Sequence, residues 1–153
     1  MTSPRWYFDD FRAGDVIELG SRTIDKESIL AFAREYDPQY FHTDEEAATK
    51  SIYGGLLASG WQTASIYMRL LFDGLIKDAA SMGSPGIDEL RWLKPVRPGD
   101  TLSARLTVLE SIPSRSKPDR GILKTLGEVR NQRGEVVLTM KGMSLLSRRP
   151  APG

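Results

Sequence analysis

The sequence predicts an α+β protein in which a largely antiparallel sheet is laid against one long apolar helix. Two patterns and one composition carry that expectation. Apolar residues between positions 60 and 79 recur at intervals of three and four, while Thr101 to Val108 alternates polar and apolar residues. The chain has 153 residues, 40% hydrophobic and 27% charged, enough for one apolar core under a solvated surface. A single domain over residues 1–153 is expected.

Taken in order, Val16, Ile17 and Leu19 between Gly14 and Gly20 predict a short strand within Asp15 to Ile24. Asp25 then caps a helix, with Ser28 three residues on and Ile29, Leu30, Phe32 and Ala33 as its apolar face. Pro38 pushes Asp37 away from helical geometry, so this helix stops near Tyr36 and the stretch Asp37 to His42 reads as a turn. Thr43 is expected to cap a second helical piece, with acidic residues well placed in its first turn. Tyr53-Gly54-Gly55 is a flexible connection. From about Gly60 to Ala79, Trp61, Ala64, Met68, Leu71 and Leu75 mark a helix, and Ile66, Tyr67, Leu70 and Phe72 fill much of its remaining circumference. A helix apolar nearly all round is expected to be buried. After the turn Pro98-Gly99-Asp100, strands are predicted at Thr101 to Val108, Ile122 to Val129 and Glu135 to Leu146, the last two joined through Asn131-Gln132-Arg133-Gly134. Ser111 to Arg120 reads as a loop and Arg148 to Gly153 as a frayed end. One open sheet edge should remain, and a homodimer is expected to cover it.

Composition excludes several chemistries. Lys and Arg total 21 against 20 Asp and Glu, a formal charge of +1, which gives no general attraction to nucleic acid or anionic membrane. The absence of cysteine excludes disulfides, thiol catalysis and cysteine-ligated metal centres. His42 is the only histidine, so mechanisms that need two are excluded and no metal site is expected. The first residues lack the apolar stretch of a secretory signal, and Arg69, Asp73 and Lys77 interrupt the most apolar region. A soluble cytoplasmic protein is expected. Arg115, Lys117, Arg120, Arg148 and Arg149 read as solvated surface, and no phosphate-binding glycine motif is present.

Two features could carry chemistry. Asp37 and His42 lie five residues apart across a proline-containing turn, which lets both side chains point inward. Such a pair can move protons near neutral pH, yet the spacing equally allows a turn-capping Asp37 and a hydrogen-bonded structural His42. Ser59-Gly60 opens the long helix, where an unpaired N–H can meet a carbonyl oxygen. Chain flexibility and close packing explain glycines there as well. Ser59 does not sit in the G-x-S-x-G elbow of a serine hydrolase.

Three segments together resemble the MaoC-like dehydratase family: Ala31-Phe32-Ala33-Arg34-Glu35-Tyr36-Asp37-Pro38-Gln39-Tyr40-Phe41-His42-Thr43-Asp44, then Gly54-Gly55-Leu56-Leu57-Ala58-Ser59-Gly60-Trp61, then Leu93-Lys94-Pro95-Val96-Arg97-Pro98-Gly99-Asp100-Thr101-Leu102. The resemblance implies a hotdog fold, an antiparallel sheet wrapped around a long central helix, paired into a dimer. It implies a hydratase or dehydratase of fatty acid metabolism that acts on an enoyl-CoA or 3-hydroxyacyl-thioester. By the same resemblance Asp37 and His42 activate water and the Gly60 N–H binds the thioester carbonyl, with Ser59 and Trp61 beside it as substrate contacts. Coenzyme A would enter as part of the acyl-CoA substrate, with no separate cofactor. Lys94 and Arg97 are basic residues that could meet the phosphates of such a substrate, but neither is singled out. Hotdog proteins also include acyl-CoA thioesterases and non-catalytic acyl-thioester binding modules, and these are the alternative readings. The chain departs from the hydratase pattern in two places: Tyr36 precedes Asp37 with Pro38-Gln39 following it, and Met68 stands where some hydratases carry serine, with Ser65 one turn earlier.

Overall fold

The computed structural model describes residues 3–152, so Met1, Thr2 and Gly153 lie outside it. Its elements are β1 (Val16–Thr23), α1 (Lys26–Tyr36), α2 (Tyr40–Thr43), α3 (Glu45–Thr49), α4 (Gly60–Gly74), β2 (Ile87–Trp92), β3 (Thr101–Pro113), β4 (Arg120–Arg130) and β5 (Val136–Ser147). The five strands form one antiparallel sheet in the order β1-β3-β4-β5-β2. None of the helices described is long and apolar enough to cross a membrane.

The central strands form where side chains alternate. On β3, Leu102, Ala104, Leu106 and Val108 are buried, and on β4 the buried set is Gly121, Leu123, Thr125, Gly127 and Val129. Both sets face the same core as Ile66, Tyr67 and Leu70 of α4. Glycine at 127 has a packing cause. Any Cβ there would overlap the hydroxyl and ring of Tyr67, which lies directly over β4. Burial of these apolar faces is the main force that holds helix to sheet.

Several expectations need correction. α4 ends at Gly74 rather than Ala79, because the apolar spacing continues through a short 3-10 turn at Ile76–Asp78. Periodicity alone does not separate the two geometries. α4 is also not buried all round: Trp61, Met68 and Phe72 form an exposed stripe, while the buried face includes the polar residues Gln62 and Thr63. β2 has no counterpart among the predicted strands. It is an edge strand paired only with β5, and its residues are half-buried or exposed, so it carries no clean alternation. The sheet therefore has two edges, β1 and β2, not one.

β3 runs on to Pro113, which shortens the predicted loop to the residues before Arg120. The tail is not frayed at its start: Arg148 bonds to Asp9 and Arg149 to Asp9 and Asp10, which ties the end of β5 to the N-terminal segment. Asp25 does cap α1, accepting from the Ser28 N–H at 2.8 Å. Asp44, not Thr43, caps α3 through the Ala47 N–H.

The packing of Tyr67 on β4 can be tested directly. G127A should lower stability by roughly 1–3 kcal/mol through overpacking, seen as a reduced melting temperature. An unchanged melting temperature would show that the ring is not seated there.

Candidate active site

The site is built where three breaks in regular structure meet. α1 ends at Tyr36, and its C-cap Asp37 (φ −153°, ψ 71°) leaves helical geometry and leads into Pro38. The chain then makes a single helical turn, α2, rather than the open turn expected, and this turn carries His42. Ser59 caps α4 at its N-terminus. These three positions bring Asp37, His42 and Ser59 together.

Asp37 Oδ2 lies 3.3 Å from His42 Nε2 and accepts the Ser59 hydroxyl at 2.7 Å. Its other oxygen accepts the Gln39 amide at 2.8 Å. Partial burial raises the Asp37 pKa, but the hydrogen bonds from Gln39 and Ser59 and the charge of His42 outweigh it and hold the carboxyl below the ordinary carboxylate value. Asp37 is thus kept ionised at neutral pH.

The His42 side of the pair is fixed from behind. Its ring is 5% exposed, packs edge-on to Phe41, and places Nδ1 at 2.7 Å from the Leu57 carbonyl oxygen. A carbonyl only accepts, so Nδ1 carries the hydrogen of the neutral ring and Nε2 is the basic atom facing Asp37. With the ring neutral, Asp37 Oδ2 and His42 Nε2 are two acceptors side by side. A water molecule can donate one hydrogen to each.

Both groups line a cavity of about 450 Å³ that also contains Gly60, Trp61, Trp92 and Val96. Gly60 is the first residue of α4. Its N–H has no acceptor among the described residues, whereas the Trp61, Gln62 and Thr63 N–H groups are all taken by Ser59. The free N–H, with the partial positive charge of the helix end, can stabilise an oxygen that gains negative charge. A side chain at 60 would collide with the Trp92 indole, so glycine is required by packing as well.

Of the residues expected to touch substrate, Trp61 is 57% exposed and stands at the cavity, but Ser59 is fully buried and does not line it. The Ser59 hydroxyl hydrogen goes to the carboxylate and not to the imidazole. That geometry supports Asp37 and does not make a nucleophile, which needs a base to take its proton. The guanidinium of Arg97 is engaged by the carbonyls of Tyr53, Gly55 and Leu56, and Lys94 pairs with Glu135 at 2.8 Å. Arg97 thereby pins the glycine connection that passes behind the site. Gln39 and Trp92 were not singled out by the sequence. Gln39 sits inside the quoted segment, while Trp92 lies just outside one and carries no spacing signal.

A five-stranded antiparallel sheet packed on a central helix, with an acid–base pair at the start of that helix, defines a hotdog-fold protein with a site suited to proton transfer. The chain belongs to the MaoC-like domain family, whose model matches residues 11–128. The crystal structure of a MaoC-like dehydratase from Rhodospirillum rubrum superposes with a TM-score of 0.85 at 42% identity, covering 95% of this chain and 99% of that one. The Bacillus subtilis (strain 168) protein YdeM is 37% identical over 92% of this chain and 98% of its own length. An (R)-specific enoyl-CoA hydratase of Rhodospirillum rubrum is 30% identical over 71% of this chain and 74% of that protein.

Two measurements check the site. S59A removes a donor from Asp37 and a cap from α4, and should cost roughly 1–3 kcal/mol of stability, measured by urea unfolding. Because the folded-state pKa of Asp37 is depressed, its stabilisation is present above the unfolded pKa and is lost as pH falls through the folded one. D37N should therefore lose less unfolding free energy than the native chain between about pH 7 and about pH 3. Parallel losses would contradict the charge assignment.

Proposed function

We propose that the protein is a hydratase or dehydratase that adds water across the double bond of an enoyl-CoA thioester, or removes it from a 3-hydroxyacyl-thioester. The observation that carries this reading is the pair of acceptors, Asp37 Oδ2 and His42 Nε2, 3.3 Å apart in the cavity that contains the free Gly60 N–H. The thioester carbonyl accepts from Gly60, which draws electron density from C3. Water held between Asp37 and His42 forms the new C3–O bond as its proton passes to the pair. The ionised Asp37 stabilises the imidazolium that results. The pair then gives up a proton to C2, which completes the addition, restores the neutral imidazole and consumes no group other than water. The 30% sequence identity with a protein named as an (R)-specific enoyl-CoA hydratase supports the reaction class.

The acyl chain is assigned to an apolar groove of about 520 Å³ between α4 and the sheet, lined by Trp61, Ala64, Tyr67, Met68, Leu71 and Met140 among others. Trp61 borders both this groove and the catalytic cavity, so a chain can pass from one to the other. Two copies are proposed to pair, covering the exposed stripe of Trp61, Met68 and Phe72 and the free edge of β2. A thioesterase that works through an acyl-serine intermediate lacks its nucleophile, since Ser59 is buried and bonded to the acid; direct hydrolysis by water is distinguished by the release of free thiol.

Hydration is followed as loss of the conjugated enoyl-thioester absorbance without release of free thiol. D37N and H42A should each reduce kcat/KM by roughly 10²–10⁴, with the fold intact by circular dichroism. Thiol release with turnover would replace this reading by thioester hydrolysis. Absence of turnover across short, medium and long enoyl chains, with binding retained, would leave a binding module. Sedimentation equilibrium should return twice the chain mass, and a monomer would refute the pairing.

A further inference from the structure

Trp92 stands on the edge strand β2, 55 positions from Asp37 in the chain, yet it is joined to Asp37 by consecutive hydrogen bonds. Its Nε1–H donates to the Gly60 carbonyl oxygen at 2.7 Å. That carbonyl belongs to the same peptide unit as the Trp61 N–H, which donates to the Ser59 hydroxyl oxygen at 3.2 Å. The Ser59 hydroxyl hydrogen goes on to Asp37 Oδ2 at 2.7 Å. All three bonds donate in the same direction, toward the carboxylate.

We propose that Trp92 is a positioning residue for the Asp37 carboxylate, acting through an unbroken run of hydrogen bonds that passes along the Gly60–Trp61 peptide unit and the Ser59 hydroxyl. A donor at the oxygen of a peptide unit polarises that unit and makes its N–H a better donor. A hydroxyl that accepts a stronger bond in turn donates more strongly. The run thus orients Ser59 and favours the ionised form of Asp37. The titratable neighbour that acts on Asp37 is His42 on α2; Gln39 and Ser59 are its neutral partners.

The arrangement separates two tasks at the start of α4. The Gly60–Trp61 unit is directed at Asp37. The Gly60 N–H belongs to the preceding Ser59–Gly60 unit and stays outside the run, free for a substrate oxygen. Trp92 reaches the carbonyl only because residue 60 lacks a Cβ, which would collide with the indole. The Trp61 ring, edge-on to Trp92 with centroids 5.1 Å apart, braces the indole from the other side.

The inference rests on the proposed reaction only for its effect on turnover, so its test is made without substrate. The Asp37 carboxyl is followed by carbon-13 NMR, its resonance identified by its absence in D37N. W92F keeps the ring and removes the N–H, and should raise the Asp37 midpoint by roughly 0.3–0.6 pH units. In an S59A background, where the run is cut, the same change should have no further effect. In the native chain the Trp92 indole N–H resonance should titrate with the Asp37 midpoint and lose that response in S59A, a measurement that does not depend on the folding of W92F. An unshifted midpoint in W92F, equal shifts with and without the Ser59 hydroxyl, or an indole resonance indifferent to Asp37 would each overturn the proposal. If the protein hydrates thioesters, W92F should lower kcat more than it changes KM and move the acidic limb of the pH profile upward. A chain without that activity still gives the titration.

Discussion

The hydrogen bond from the Ser59 hydroxyl to the Asp37 carboxylate is the contact on which the site depends. It joins the C-cap of α1 to the N-cap of α4 across 22 positions. Ser59 performs both duties with one oxygen: it accepts from the α4 backbone and donates to Asp37. Helix start and Asp37 carboxylate are thereby placed relative to each other by a single group. The Gly60 N–H, one residue on, inherits the same placement.

Around that contact the polar groups are held by partners that leave Asp37 Oδ2 and His42 Nε2 turned toward each other. Leu57 occupies Nδ1 of His42 and leaves Nε2 facing the cavity. Gln39 and Ser59 hold one oxygen each of Asp37, and the second oxygen also faces Nε2. A partly buried carboxylate would ordinarily be pushed toward its neutral form, and these bonds reverse the direction. Groups held this way would need little rearrangement if a proton moved between them, as electrostatic preorganisation requires.

The sheet supplies the rigid support. Alternation on β3 and β4 makes an apolar face, and Gly127 leaves room on it for Tyr67, so α4 lies close against the strands. At the far end, Arg97 grips the carbonyls of residues 53, 55 and 56 and holds the glycine connection that leads into α4. The edge strand β2 then reaches back over the helix start with Trp92. Each element that contributes to the site is therefore tied to another that is far away in the chain.

What the sequence by itself determined was local or compositional. Pro38 ended α1, Asp25 capped it, alternation marked the start of β3, the turn at Asn131 to Gly134 separated β4 from β5, and a single histidine named the only imidazole available. The pairing of Asp37 with His42 was one of two readings that the spacing allowed, and the family resemblance was what favoured it. The structure decided what depends on groups distant in the chain. Ser59 looked like a substrate contact and proved to be the support of Asp37, since its partner is set by how α1 packs on α4. The edge strand β2 and Trp92 left no signal, because a strand paired on one side and buried on neither face needs no periodic pattern. The outward stripe of α4 was equally hidden: apolar spacing shows which residues can form a helix face, whereas the sheet alone selects the face that is buried.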